Sequence, residues 1–301
     1  MVNVVIHNKK YKLPVLISEL SLNQGMQLLA SFKLEDTKSL DYMKATLAIL
    51  LNCEVELLLD IPNWQIEILY KSIPLLNDKQ TVYYVESFKI NHKLFGMIDL
   101  ENISVLEFME LEDLFEDEIE NIDKILTILY RRIVNKKQNV KNILINIATR
   151  LYFKSKLKFN FKPLKYKFYE TKALDLQHKY DNTDFFRDNI NYAIARGALQ
   201  HYAEFNEKLK KEFWPVFEGA KNPDDEEEYD PFEKLEEAEK HKRRDIPSLG
   251  EIWGLYHLVY EISNGDKRTI DYWYTKPIKE LFTQCIYVKQ RNTYLEKLNN
   301  G

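Results

Sequence analysis

Glycine is the first thing this sequence lacks. It has 8 in 301 residues, where average usage of roughly 7% gives about twenty. Phosphate-cradling loops, tight-turned barrels and dinucleotide folds need glycine at fixed places, and none of their signatures occurs. There is no GxGxxG and no GxxxxGK[ST]. HExxH, CxxC and GxSxG are also missing. The two cysteines, Cys53 and Cys285, stand far apart in apolar helical patterns. They read as buried free thiols in a reducing interior. The longest apolar runs, such as Leu47 to Leu51, fall far short of the roughly 18 residues that cross a bilayer. The N-terminal segment lacks the charged and apolar regions of a signal peptide. The six histidines are isolated, and the Glu-x-x-His pairs of a di-metal bundle are absent. An enzyme is not expected, nor any cofactor or metal.

What is present is helical periodicity. Val2–Ile6, a polar turn and Tyr11–Pro14 read as a small hairpin. Leu22, Met26 and Leu29 then mark one helix face, and Leu40, Met43, Leu47, Leu50 and Leu51 a second. Ser21 and Asp41 suit helix starts. Pro62 opens a third helix through Ile66, Leu69, Tyr70 and Ile73. The grammar then repeats. Ile90-Asn91-His92-Lys93 echoes Ile6-His7-Asn8-Lys9. Ile103-Ser104-Val105 echoes Leu20-Ser21-Leu22, and Lys124–Leu129 echoes Lys44–Ile49. A tandem duplication accounts for this, as does a chance likeness of amphipathic segments.

The fold expected is mainly α. It has tandem small β-hairpin-plus-helix modules, a central basic β-hairpin, a long helix and a C-terminal helical unit. The boundaries read as 1–80 and 81–150 for the two modules, then 151–220 for the basic hairpin and long helix. The acidic linker is 221–247 and the C-terminal unit 248–301. Within 151–170, Leu157, Phe159 and Phe161 alternate with lysines, as do Leu164, Tyr166 and Phe168. One long helix is expected from Asp184 to Phe217, with Gly197 admitting a close neighbour and Pro215 marking its end. Asp224–Glu228 is a like-charge block in a stretch poor in apolar residues.

The net charge of −4 conceals two opposed blocks. No basic residue lies between Lys93 and Lys124, while that span holds acids from Asp99 through Asp123. No acidic residue lies from Lys124 to Tyr169. The basic block supplies the candidate contact residues: Arg131, Arg132, Lys154, Lys156, Lys158, Lys162, Lys165 and Lys167. Three readings stand together. The block binds an acidic protein surface, of another protein or of a second copy. It binds nucleic acid through phosphates. Or it is a solvated surface. The interleaved aromatics alternate away from the lysines, which points them at a core rather than at bases.

Longer stretches carry a resemblance. Ile6 to Pro14, then "ISELSLNQGMQLL" and "KATLAILLNCEVELLLDIPNWQIEIL", are similar to tail-assembly-chaperone-like and virion structural proteins of tailed bacteriophages. "KINHKLFGMIDLENISVLEFMELEDLFE" and "IDKILTILYRRI" resemble virion proteins of Bacteroidetes-infecting, crAss-like phages. Where those read Ala-Ile-Leu-Tyr-Arg-Pro-Ile, this chain has Thr127-Ile128-Leu129-Tyr130-Arg131-Arg132-Ile133. "GEIWGLYHLVYEISNGD" and "PIKELFTQCIYVKQR" look like the C-terminal end of such proteins. The resemblance implies a non-enzymatic structural protein making protein–protein contacts in the virion, at the portal or tail. The alternatives are a tail-assembly chaperone that binds tail or tape-measure protein and leaves the mature particle, and a DNA-contacting packaged protein. The implied partners are other phage structural proteins or further copies of itself, with no membrane. The implied location is the virion, and the host cytoplasm during assembly.

Overall fold

The computed structural model describes residues 1–32, 39–73, 83–137, 143–148, 161–164, 168–174, 180, 182–217 and 249–299. The acidic linker 221–247 lies outside them. The chain is mostly helical, with small antiparallel hairpins, and divides into two compact units. The first comprises Met1–Ile98 and Leu111–Tyr202; the second comprises Asp99–Glu110 and Ala203–Gly301.

The first unit opens with β1 (Val2–Ile6) and β2 (Lys9–Leu13), paired antiparallel with Ile6 opposite Lys9. The turn residues His7 and Asn8 have φ of 48° and 63°. Two successive left-handed residues give the turn whose twist matches a two-residue hairpin. A 3₁₀ turn at Ile17–Glu19 leads into α1 (Leu22–Phe32) and then α2 (Leu40–Leu51). Ser21 and Gln24 cap α1 reciprocally. The Ser21 backbone N–H donates to the Gln24 amide oxygen at 3.1 Å, and the Gln24 N–H donates to Ser21 Oγ at 3.2 Å. The cap of α2 is Ser39, which accepts from the Tyr42 N–H, while Asp41 sits in the first turn. A 3₁₀ turn at Val55–Leu58 and α3 (Asn63–Lys71) complete this run, with Pro62 at the α3 cap.

The second run has the same order. Strands β3 (Ser87–Ile90) and β4 (Lys93–Met97) are joined by Asn91 and His92, with φ of 45° and 67°. A 3₁₀ turn follows at Leu100–Asn102, then α4 (Val105–Phe115) and α5 (Glu118–Leu129). Ser104 and Glu107 cap α4 as Ser21 and Gln24 cap α1. The first helix of each run has 11 residues and the second 12.

A five-stranded sheet in the first unit has the order β6-β3-β4-β5-β7, adding β5 (Tyr130–Lys137), β6 (Phe161–Leu164) and β7 (Phe168–Thr171). The central basic hairpin expected from 151–170 is therefore corrected. β6 pairs with β3 and β7 with β5, at opposite edges of the sheet. Alternation fixes which residues share a face but not which strand lies alongside. The unpaired edges of β3 and β5 are the partners these strands take. Phe88 and Phe95 from the sheet pack on Phe186, with Phe95–Phe186 centroids 5.1 Å apart, and Tyr130 packs on Phe88 at 4.8 Å. The buried Tyr130 hydroxyl donates to the Val85 carbonyl oxygen at 2.6 Å.

The expected single helix over Asp184–Phe217 is broken. It forms α6 (Thr183–Asn189) and α7 (Tyr192–Glu212), then a 3₁₀ turn at Trp214–Val216 around Pro215. Ile190 is extended, and Asn191 Oδ1 accepts from the Ala193 N–H at 2.8 Å. Asparagine is a strong N-cap, so it starts a new helix where hydrophobic periodicity alone would continue the old one. Gly197 does admit a close neighbour. A Cβ there would lie 2.3 Å from the Tyr83 carbonyl oxygen.

In the second unit, α8 (Leu249–Ile262) is interrupted at Gly254, whose φ is 49°. Next come α9 (Lys267–Tyr274), capped by Asp266, and α10 (Ile278–Asn299). Phe282 on α10 packs against Phe108, Phe213 and Phe217 at centroid distances of 6.3, 5.5 and 5.2 Å.

Each unit contains one clasp between two helix starts. In the first, the Leu22 N–H donates to the Ile190 carbonyl oxygen at 3.1 Å, and the Tyr192 N–H to Leu20 at 3.2 Å. In the second, the Val105 N–H donates to Lys276 at 2.8 Å, and the Ile278 N–H to Ile103 at 2.9 Å. Helix N-termini leave their first N–H groups without intrahelical acceptors. Here each start supplies the acceptor for the other.

Candidate functional site

The basic block is only partly a surface. Arg131, on β5, is 8% exposed and donates from Nε to the Ile128 carbonyl oxygen at 3.0 Å. Its side chain is mostly buried. Arg132 is exposed on the same strand, followed by Val134 at 65% and by Lys136 and Lys137. Lys162 lies in β6 with its backbone opposite Lys89 of β3. Lys154, Lys156, Lys158, Lys165 and Lys167 lie outside the described residues.

The acidic block is largely engaged within its own units, and its partners come from later in the chain than the basic block. In the first unit, Asp123 takes Arg187, Glu118 faces Arg196 at 3.9 Å, and Glu112 accepts from the Tyr202 hydroxyl at 3.1 Å. In the second, Glu101 meets Lys279 at 2.7 Å and Lys208 at 3.2 Å. Those two ammonium groups hold the Glu101 carboxyl below its usual range. Glu107 is occupied in capping α4.

A different surface offers apolar area. On the 3₁₀ turn and α3, Val55, Leu59, Trp64 and Ile68 are 38%, 56%, 62% and 60% exposed. Trp64 and Ile68 are four residues apart and share a helix face. Ile66 alone on α3 is buried, which seats the helix and turns the other side outward. Between Lys44 and Lys71 no basic residue occurs, whereas Glu54, Glu56, Asp60 and Glu67 are all exposed. Exposed apolar side chains here are interspersed along the chain with exposed carboxylates, and no basic residue falls among them. Sequence reading placed this helix but not its exposed face. The signal was there in Trp64 and Ile68, which fall off the stripe of Ile66, Leu69, Tyr70 and Ile73.

The second unit also carries a groove of about 760 Å³ between α8, α10 and the turn at Pro215. His257 and Glu261, one turn apart on α8, lie 3.3 Å from each other on one wall. Cys285, in its wall, is half-buried rather than buried, as is Cys53, and both thiols are free. Burial pushes the Cys285 thiol up to about 12, so at neutral pH it is not a thiolate nucleophile. Among the described residues no cluster of three or more His, Cys, Asp or Glu can hold a metal ion, and no helix is long and apolar enough to cross a membrane. Comparison with family models, with curated proteins and with solved structures finds no match.

Proposed function

We propose that this chain is a non-enzymatic structural protein whose work is protein–protein contact, and that it belongs to a tailed-phage particle, in the virion at the portal or tail. The observation that carries the contact reading is the exposure of Val55, Leu59, Trp64 and Ile68 in a stretch whose charged residues are all acidic. Tryptophan is enriched among residues that dominate binding energy when they enter a partner's pocket, and acidic neighbours select a partner with basic ones. The phage assignment rests on the resemblance of the hairpin-to-helix runs. The reading includes a tandem duplication. It is supported by equal element order, equal helix lengths and the same Ser-x-x-Gln/Glu cap in both runs.

Mass spectrometry of purified particles tests the reading. A structural component is present at stoichiometric abundance. A tail-assembly chaperone is found with tail or tape-measure protein in the lysate and is absent from particles. A packaged DNA-contacting protein binds DNA with strong salt sensitivity. Exposed Arg132, Lys136 and Lys137 are the described residues on which that last outcome would depend.

A further inference from the structure

We propose that α10 pairs with the same helix of a second copy, parallel and in register, along the stripe of Cys285, Val288, Asn292 and Leu295. From Ile278 onward, the residues Ile278, Leu281, Cys285, Val288, Asn292 and Leu295 follow spacings of three and four in strict alternation. That spacing is the heptad of a two-helix seam. Ile278 and Leu281 are fully buried and anchor the helix to its own unit. Cys285 and Val288 are half-buried, and from Lys289 to Leu298 every residue is exposed. Leu295 and Leu298 are 41% and 58% exposed. One continuous stripe thus seats the first half of the helix and runs on uncovered along the second. Beside it, the groove of about 760 Å³ is bounded by Cys285, Val288 and Asn292 on one wall and by Tyr260 and Pro215 on others.

The flanking charges select the occupant. Arg291 precedes Asn292 and Glu296 follows Leu295, so they border the seam on opposite sides. In a parallel, in-register pair, the residue before one seam position faces the residue five further along on the partner. Each Arg291 then meets the other copy's Glu296, twice per dimer. An antiparallel pair instead sets arginine near arginine and glutamate near glutamate. Asn292 agrees with the parallel choice, because asparagine at this seam position pairs with its counterpart across a parallel dimer and penalises shifted registers. The seam is self-complementary, as a two-fold interface requires.

Sedimentation equilibrium on the full chain tests this. The wild type is a dimer in reversible equilibrium. Arg291→Glu and Glu296→Arg each weaken the dimer by about tenfold or more at low salt, and combining them restores it. Leu295→Asp gives a monomer. Since these positions are exposed, circular dichroism and the unfolding midpoint of the monomeric variants stay as in wild type, which separates lost pairing from lost folding. A wild-type monomer at the highest soluble concentration overturns the proposal. A dimer indifferent to the charge swap overturns it equally. The outcome is independent of the particle experiment, since it reads α10 alone and leaves the Trp64 surface untouched.

Discussion

Arg187 on α6 donates from Nε to Oδ2 of Asp123 on α5 at 3.1 Å, and a terminal guanidinium nitrogen donates to the same oxygen. The Asp123 side chain is 1% exposed, whereas Arg187 is 40% exposed. The arginine reaches in from the surface to neutralise an interior carboxylate. Arg187→Ala therefore leaves a buried charge uncompensated and is expected to cost about 2–4 kcal/mol in urea unfolding. Replacing both partners by apolar residues (Arg187→Met with Asp123→Leu) recovers most of that loss, because no charge then remains to be desolvated.

Gly197→Ala sets two effects against each other. Alanine in a helix interior gains about 1 kcal/mol over glycine. The new Cβ, however, would lie 2.3 Å from a backbone oxygen, that of Tyr83, which cannot swing aside as a side chain would. Overpacking of this sort costs about 1–3 kcal/mol, so net destabilisation is expected, read as a lower urea midpoint with an unchanged slope.

Cys285 should resist alkylation. An ordinary thiol near pKa 8.5 is about a quarter thiolate at pH 8. With its own value pushed up to about 12 by burial, the thiolate fraction of Cys285 is on the order of 10⁻⁴. Iodoacetamide at pH 8 should modify it at least about a hundredfold faster in urea than in the native chain, as peptide mass mapping would show.

The Glu101 carboxyl is held below its usual value of 4.5, first by the hydrogen bond from Lys279 and then by that from Lys208. A depressed carboxyl stabilises the fold fully above its unfolded value, and that contribution disappears as pH falls through the folded value. The stability difference between wild type and Glu101→Gln is therefore constant above about pH 5.5 and shrinks toward zero in stronger acid. Paired unfolding curves across that range check it.

Trp64→Ala should separate folding from contact. Trp64 is 62% exposed, so the unfolding free energy is expected to change by no more than about 0.5 kcal/mol. Under the contact reading the same change weakens partner binding by about 2 kcal/mol. The variant would then fold normally yet be depleted from particles by quantitative mass spectrometry. Equal incorporation of the variant would remove Trp64 from the contact.

Local features were the most legible in the sequence. Ile6-His7-Asn8-Lys9 and Ile90-Asn91-His92-Lys93 are two-residue hairpin turns, and Ser21 and Ser104 are helix caps. Turns and caps depend on neighbours in sequence, so their chemistry is written locally. Less was legible where distant groups compete. Alternation over 151–170 suggested strands paired with each other, whereas β6 and β7 pair with β3 and β5, because pairing depends on which sheet edges stand open. The break at Ile190–Asn191 turns on Leu20 and Leu22, far away in the chain. Helix α9 leaves a faint trace in the sequence because it is only 8 residues long, largely polar, and buries none of its residues. The opposed charge blocks were plain, but their use was not. The carboxylates found cations on α6, α7 and α10, and charge in sequence carries no distance.

The clasp between Leu20–Leu22 and Ile190–Tyr192 also has a consequence in time. A ribosome emits the chain from its N-terminus, so α1 emerges long before its counterpart exists. Until residue 192 has left the exit tunnel, the start of α1 has only water or its own serine to satisfy it. The equivalent clasp at Ser104 must wait for Ile278. Neither unit can finish during synthesis of its own first segment, and both close late. The early half of the nascent chain thus carries an open start to α1, at Leu20 and Leu22, until residues 190–192 emerge to close it.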